Sequence, residues 1–161
     1  MANPQAALIM GSKSDYDALK GCIKTFEDFG VALEVHVMSA HRTPHEATSF
    51  AADAEARGFK VILAAAGKAA HLPGVLAAFT TLPIIGIPMK SSFMDGLDSL
   101  LSIAMMPPGI PVATVGVGSG ENAALLALQI LQYTNPELGG KLKKHRETMA
   151  QAVHDADLSI Q

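Results

Sequence analysis

The stretch "VILAAAGKAAHLPG" at residues 61–74 carries the pattern that decides the fold. It starts with an uninterrupted apolar run, continues through a loop of small residues and turns at His71 into a helical pattern. A short apolar run without alternation is typical of a strand covered on both faces, as in a parallel sheet, although periodicity alone does not exclude a buried helix. The stretch therefore predicts a buried strand, a loop and a helix in succession.

Four further apolar runs of strand length alternate with helical patterns. The runs cover residues 6–10, 32–38, 83–88 and 111–117, and the helical patterns cover 14–30, 43–58, 73–79, 96–105 and 120–133. Such alternation builds a parallel sheet with helices on both faces. We therefore predict a three-layer α/β/α domain around a doubly wound parallel sheet. Ligands of such sheets bind beyond the carboxyl ends of the strands, where the strand order reverses.

Capping residues mark the expected helix ends. Thr43, Pro44 and Glu46 have the spacing of a capping box with proline at the first helical position. Gly30 and Gly58 stand where glycine commonly ends a helix. The apolar face of the first helix is predicted from residues that recur at spacings of three and four, which are Tyr16, Leu19, Cys22, Ile23 and Phe26.

The chain of 161 residues has the size of one domain. No repeat, linker or low-complexity segment divides it, so we predict a single domain over 1–161. Its last part, at about 135–156, is polar and amphipathic and predicts a helical tail with Asn135 and Pro136 as an N-cap pair. The start has no basic leader, which favours a cytoplasmic protein.

Composition limits the classes of partner. Hydrophobic residues make up 49% of the chain and charged residues 17%, which suggests that extra apolar surface is covered in an oligomer. The formal net charge of -3 gives no support for nucleic-acid binding, and no apolar run is long enough to span a membrane. Cys22 is the only cysteine, so it has no disulfide partner in the chain, and we interpret it as a small core residue.

The loop "GSKSD" (11–15) has the residue types of a phosphate site. Gly11 permits a tight turn, Ser12 and Ser14 offer hydroxyls, and the following helix presents free amides. The alternative is that Ser14 or Asp15 only caps that helix. A Walker loop is excluded, because the Gly-Lys-Ser/Thr ending is absent.

The loop "SAHRTP" (39–44) combines a permanent cation with a proton carrier. Arg42 has the forked donor that suits phosphate, and His41 is the side-chain type that exchanges protons near neutral pH. The alternative is a capped surface turn. His41 and His45 have the spacing of helical zinc ligands, but Pro44 starts the helix between them, so a metal site is not predicted and His45 is expected to be exposed.

Two more loops follow predicted strands. In "AGKAAHLPG" (66–74), small residues permit close approach of a ligand to the backbone, and His71 is either a site residue or a packed histidine. "GSGENA" (118–123) follows the last strand and lacks the βαβ context of a dinucleotide fingerprint, so no NAD is predicted. "GVGSG" (116–120) lacks the spacing of a serine-hydrolase elbow.

An ordered set of motifs resembles the PurE family, the N5-carboxyaminoimidazole ribonucleotide mutases of purine biosynthesis. The motifs are "MGSKSD" (10–15), "SAHRTP" (39–44), "AAHLPG" (69–74), "LPIIGIP" (82–88) and "GLDSLLSIAMMPPGIPVATV" (96–115). The "HLPG" form is similar to class I, the mutases, as distinct from class II enzymes that carboxylate aminoimidazole ribonucleotide directly. The resemblance implies a flavodoxin-like sheet, a homo-octamer with active sites near subunit interfaces, and chemistry without a metal or organic cofactor.

The resemblance also implies roles for particular residues. Ser12, Asp15 and Arg42 would bind the ribose 5-phosphate, with Ser14 and Ser39 close by. Because a carboxylate repels phosphate, Asp15 is expected to accept ribose hydroxyls. His41 would be the catalytic acid and base. The loop with Gly67, Lys68 and His71 would surround the imidazole and the carboxylate of the substrate.

Lys68 departs from the family pattern, which often has glycine there. Positive φ would cost lysine about 1–2 kcal/mol, so we expect an ordinary backbone conformation at this position. Its long stem can turn outward, and the sequence leaves open whether the ammonium reaches the substrate. The competing functions are the class II carboxylase and a flavodoxin-like nucleotide-binding module without catalysis. The latter is disfavoured by a histidine beside the phosphate arginine.

Overall fold

The computed structural model describes residues 4–161, which form a five-stranded parallel sheet with helices on both faces. The strands are β1 (Ala6–Met10), β2 (Leu33–Val37), β3 (Val61–Ala66), β4 (Ile84–Pro88) and β5 (Ala113–Thr114). The helices are α1 (Lys20–Phe29), α2 (Pro44–Asp53), α3 (Leu72–Ala77), α4 (Leu97–Ala104), α5 (Gly120–Leu131) and α6 (Glu137–Leu158). The strand order β2-β1-β3-β4-β5 is the flavodoxin-like order, so the predicted α/β/α fold is confirmed.

Two apolar layers enclose the sheet. Every residue of β1, β3 and β4 is buried, as continuous apolar strands require in a sheet covered on both faces. Successive side chains of β1 point to opposite faces, so Leu8 packs in the layer with α1 and α5, while Ile9 packs in the layer with α2 and α3. The central strands are therefore held by apolar burial from two sides.

The two edge strands are covered less completely than the centre. β2 is only half-buried, and its last residue, Val37, is 54% exposed. β5 has two residues instead of the predicted 111–117. Beyond it the chain still follows β4 irregularly, because the Val115 amide donates to the Gly86 carbonyl at 3.2 Å and the Gly118 amide to the Pro88 carbonyl at 2.8 Å. Pro111, which cannot donate, precedes this edge.

The first helix starts later than the sequence pattern predicts. Short 3₁₀ turns occupy Lys13–Asp15 and Asp17–Leu19, since the Ser12 hydroxyl caps the first turn by accepting from the Ser14 amide. Tyr16 lies in these turns and is 43% exposed, so its predicted place on the apolar face is wrong. Gly30 ends α1 in the left-handed conformation, at φ 71°, as predicted.

Three predicted helix ends also differ in part from the structure. Thr43 occupies the N-cap position of α2, but its hydroxyl bonds the backbone of Ser39 instead of closing a capping box. That helix ends at Asp53, and Gly58 ends the turns that follow. At α6 the N-cap position belongs to Pro136, and Asn135 makes no side-chain cap.

The C-terminal helix is anchored only at its start. Leu138 and Leu142 are buried in the core, and the Lys141 ammonium donates to the Phe29 carbonyl at 2.7 Å. His145 is half-buried against Phe29, with ring centroids 5.8 Å apart, and from residue 146 onward α6 is exposed, including the apolar Val153 and Leu158. Across residues 4–161, none of the helices combines the length and apolarity needed to cross a membrane.

Replacement of Gly86 by alanine should destabilise the fold. A Cβ at this position in β4 would overlap the Ile103 side chain and lie 3.0 Å from Val112 Cγ1. We expect Gly86→Ala to lower the free energy of unfolding in urea by about 1–3 kcal/mol, the usual cost of overpacking. Gly21→Ala is the matched control, because nothing lies within 4 Å of its Cβ. Replacement of a glycine by alanine inside a helix raises the free energy of unfolding by roughly 0.5–1 kcal/mol. Equal stability of the two variants would contradict the packing argument.

Candidate functional site

The candidate site lies at the switch point of the sheet, where the chain leaves β1 and β3 in opposite directions along the strand order. The loops that follow β1, β2, β3 and β4 enclose a cavity of about 420 Å³ at the carboxyl edge. Its lining consists of Gly11, Ser12, Ser14, Asp15, Ser39, Ala40, His41, Arg42, Ala66, Gly67, Lys68, Ala69, Leu72 and Lys90. This is the location that the strand pattern predicts for a ligand.

A larger cavity of about 1040 Å³ lies at the other edge of the sheet, beside the starts of β4 and β5. Its lining is mostly apolar or small, includes Phe79, Leu82 and Ile110, and has Glu55 as its one charged residue. This cavity is the larger of the two, but no lysine, arginine or histidine lines it. The smaller cavity is the candidate site, because an acid, a histidine and three cationic side chains line it together.

The structure brings the predicted site residues together. Eight of them line the smaller cavity, and the ninth, His71, contacts it through His41. Lys90 was not among the predicted site residues, although it lies just after a predicted strand. A single lysine in a polar loop belongs to no recognisable motif, so its position after β4 was the only indication that the sequence offered.

Hydroxyl groups and a guanidinium surround the end of β1. The Ser12 hydroxyl accepts from the Ser14 hydroxyl at 2.9 Å. Arg42 Nη2 donates to the Gly11 carbonyl at 2.9 Å, which holds the guanidinium over this loop. Among residues 4–161, Arg42 forms no ion pair, so its charge is compensated by no carboxylate. The arrangement presents an anion with donors and a fixed positive charge.

Ser39 organises the loop that follows β2. Its hydroxyl accepts from the His41 amide at 3.3 Å and from the Arg42 amide at 3.2 Å. The Thr43 hydroxyl closes the same turn by accepting from the Ser39 amide at 2.8 Å. These local bonds fix the turn that carries both His41 and Arg42.

Asp15 is the acidic group of the cavity. Partial burial raises its pKa above the ordinary value, and a hydrogen bond from Ser14 opposes that rise. Raised pKa values mark carboxylates whose charge is poorly solvated. The oxygens of Asp15 therefore have capacity to accept hydrogen bonds from ligand hydroxyls.

His41 and His71 form a directly bonded pair. Nε2 of His41 lies 2.9 Å from Nδ1 of His71, and the rings meet edge to face with centroids 5.0 Å apart. One ring must donate and the other accept, so the contact requires at least one neutral histidine. His45 lies exposed in the first turn of α2, as predicted, and takes no part in the pair. The pair places two bonded imidazole rings at the edge of the cavity.

Lys68 adopts a backbone conformation that the sequence analysis did not expect. Its φ is 56°, in the left-handed region, at a cost of about 1–2 kcal/mol for a residue with a Cβ. The Lys68 amide donates to the hydroxyl of the fully buried Ser99 at 2.8 Å, and its carbonyl accepts from Ser102 at 3.4 Å. The prediction of an ordinary conformation is wrong because contacts from α4, distant in sequence, impose this one.

Cys22 is excluded from nucleophilic chemistry. It is fully buried in the core between α1 and the start of α5, and burial raises the pKa of its thiol to about 12. Thiols react as thiolates, so this one is inert near neutral pH. Its interpretation as a core residue is confirmed.

Known proteins resemble this chain in sequence and in fold. The N5-carboxyaminoimidazole ribonucleotide mutase of Pyrococcus abyssi is 58% identical over 146 residues, covering 91% of this chain and 84% of the relative. The phosphoribosylaminoimidazole carboxylase of Saccharomyces cerevisiae is 47% identical over 157 residues, covering 94% of this chain and 28% of the relative. A crystal structure of Treponema denticola PurE has a TM-score of 0.89 at 29% identity and covers 98% of this chain and 99% of its own.

A family model provides the remaining comparison. The model described as AIR carboxylase matches residues 5–152, which include all four loops of the cavity. The match extends well beyond the motifs that first indicated the PurE family, since it runs into the middle of α6. The chain belongs to the AIR carboxylase family, the PurE proteins.

Proposed function

We propose that this protein is an N5-carboxyaminoimidazole ribonucleotide mutase, an isomerase of purine biosynthesis. The observation that carries the proposal is that His41, bonded to His71, lines one cavity together with Arg42, in a chain 58% identical to a curated mutase. The proposed reaction moves a carboxyl group from the exocyclic nitrogen of the substrate to ring carbon C4. It needs no cofactor, and we place the enzyme in the cytoplasm as a single catalytic domain over 1–161.

The cavity suggests how the substrate lies. Its phosphate fits the hydroxyls of Ser12 and Ser14 and the Arg42 guanidinium, with Ser39 holding that arginine in place. Asp15 would accept the ribose hydroxyls. The imidazole then extends toward Gly67, Lys68 and the histidine pair.

Each proton in the proposed reaction passes through His41. Protonated His41 gives its proton to the exocyclic nitrogen while the N–C bond breaks, which leaves carbon dioxide and a free amine. C4 then attacks the trapped carbon dioxide, a C–C bond forms, and neutral His41 removes the C4 proton. The proton count balances, so the reaction is an isomerisation. The small cavity keeps carbon dioxide beside C4, which is a proximity effect.

The bond to His71 supports this role. Two protonated rings at 2.9 Å would repel each other, so the hydrogen-bonded pair can carry at most one positive charge. His71 therefore positions His41. Its Nδ1 accepts the hydrogen bond when His41 Nε2 carries a proton and donates it when that nitrogen does not.

Direct carboxylation of aminoimidazole ribonucleotide is the second candidate. The observation in its favour is the 47% identity to the yeast carboxylase. An assay of both ribonucleotides at low bicarbonate separates the two. We expect conversion of the N5-carboxylated substrate without added bicarbonate, and turnover confined to aminoimidazole ribonucleotide with bicarbonate would instead identify a carboxylase.

His41→Asn should abolish most turnover while binding survives. Asparagine has comparable reach and polarity but exchanges no protons near neutral pH, so we expect a loss on the order of 10²- to 10⁴-fold in kcat. Steady-state conversion of N5-carboxyaminoimidazole ribonucleotide measures turnover, and calorimetry measures affinity. His45→Asn is the matched control in the same segment and should be mild. Near-normal turnover of His41→Asn would show that another group carries the proton.

Arg42→Ala should chiefly weaken binding of the intact nucleotide. A charge-assisted contact to phosphate is worth about 1.5–3 kcal/mol, which the alanine variant loses. Calorimetry with the ribonucleotide and with its dephosphorylated nucleoside checks the assignment. The ribonucleotide should bind the variant more weakly than the wild type, whereas the nucleoside should bind both with the same affinity. Normal affinity of Arg42→Ala for the ribonucleotide would remove Arg42 from the phosphate site.

We also propose that the chain assembles as a homo-octamer. The half-buried edge strand β2 and the exposed apolar residues around α4, among them Phe93, Leu101 and Met105, give surface that a second copy would cover. Light scattering at several protein concentrations should report eight times the 16.8 kDa of one chain. A concentration-independent monomer would contradict the assembly.

A further inference from the structure

Two lysines line the cavity without an acidic partner. Lys68 follows β3 and Lys90 follows β4, and both are exposed to the cavity and solvent. Within residues 4–161, neither ammonium forms an ion pair. Exposed lysines are common on protein surfaces. These two differ from the others in their position along the sheet edge and in the contacts that hold their loops.

The strand order places these lysines away from Arg42. Along the carboxyl edge, the loop with Arg42 follows β2, the loop with Asp15 follows β1, and Lys68 and Lys90 follow β3 and β4. Neighbouring strands are about 4.8 Å apart, so the ends of β2 and β4 are separated by roughly 14 Å. The cavity therefore has a positive group on each side, with Asp15 between them.

One support at the start of α4 holds both lysine loops. The Asp98 carboxylate accepts from the Ser91 hydroxyl at 2.7 Å and from the Ser99 amide at 2.8 Å, and Ser99 in turn holds the Lys68 amide. Ser91 is the neighbour of Lys90 in the chain. The Asp98 carboxylate thus bonds to serines and forms no ion pair with either lysine.

The left-handed backbone of Lys68 adds a second indication. Glycine would adopt φ 56° without strain, yet a lysine occupies this position and Ser99 keeps it there. Strain of this kind persists where surrounding contacts impose it, and it is concentrated at functional sites. The side chain of Lys68 is therefore the feature that distinguishes this loop.

We propose that Lys68 and Lys90 form a second cationic subsite, which binds the carboxylate of the substrate opposite the phosphate held at Arg42. The inference rests on the proposed function, because it requires a ligand with anions at both ends. The phosphate and the carboxylate of the ribonucleotide are separated by the sugar and the ring. Two separated positive groups match that distribution of charge.

The subsite acts on binding more than on the chemical step. Carbon dioxide is neutral, so the lysines stabilise the carboxylate of substrate and product but not the trapped intermediate. An interaction that favours the ground state lowers KM without raising kcat. Loss of either lysine should therefore raise KM, with kcat unchanged or increased.

The test compares two ribonucleotides that differ only in the carboxylate. Calorimetry is carried out with 4-carboxyaminoimidazole ribonucleotide and with aminoimidazole ribonucleotide on the wild type, Lys68→Met and Lys90→Met. We expect each variant to bind the carboxylated ligand on the order of 10-fold more weakly and the uncarboxylated ligand about as well as wild type. Lys60→Met is the matched control, since Lys60 is an exposed lysine next to the opposite end of β3.

A glycine variant separates charge from backbone strain. Lys68→Gly and Lys68→Met both remove the ammonium, but only glycine relieves the positive φ. The two should lose the same affinity for the carboxylated ligand, while Lys68→Gly melts at a higher temperature than Lys68→Met. A purely structural lysine would show a change in melting temperature and none in affinity.

The outcomes distinguish this inference from the proposed function. Equal weakening of both ligands, or no weakening of either, overturns the carboxylate subsite while turnover of the wild type still supports the mutase. Failure of the wild type to bind and convert the ribonucleotides overturns the mutase and the subsite together.

Discussion

The backbone of Gly11 joins two loops of the site to a central strand. Its amide donates to the carbonyl of Ala65 in β3 at 3.0 Å, which continues the β1–β3 pairing past the end of β1, and its carbonyl accepts from Arg42 at 2.9 Å. The loops after β1 and β2 are therefore tied to β3 at the switch point. Because β1 and β3 are buried on both faces, this position moves only if the core moves.

The cavity collects positive charge in a chain whose formal net charge is -3. Arg42, Lys68 and Lys90 surround it, and Asp15 is its only acid. The electrostatic field at the site is thus set by the charged residues of these loops and not by the net charge of the whole protein. The cavity thus has positive groups on both sides of Asp15, and the bonded histidines lie at its edge.

The loop after β3 adopts a backbone conformation that is locally unfavourable. The left-handed Lys68 costs about 1–2 kcal/mol, and it is held by the buried Ser99. This conformation was not expected, because local backbone energy alone disfavours it for lysine. The contact that imposes it comes from Ser99, 31 residues away, and nearby residues do not encode such a contact. The capping box expected at Thr43 is absent for a different reason, because its hydroxyl bonds the backbone of Ser39, four residues earlier.

The sequence by itself determined the fold class, the central strands and the loops that carry the chemistry. Continuous apolar runs report burial on both faces, and parallel strands place all their carboxyl ends at one edge, so Ser12, His41 and Arg42 were assigned to that edge without coordinates. Only the tertiary structure decided that His41 bonds His71, that Lys90 joins the cavity and that β5 shortens to two residues. These features depend on distances between segments far apart in the chain, and periodicity, which records only which face of an element is buried, has no information about such distances.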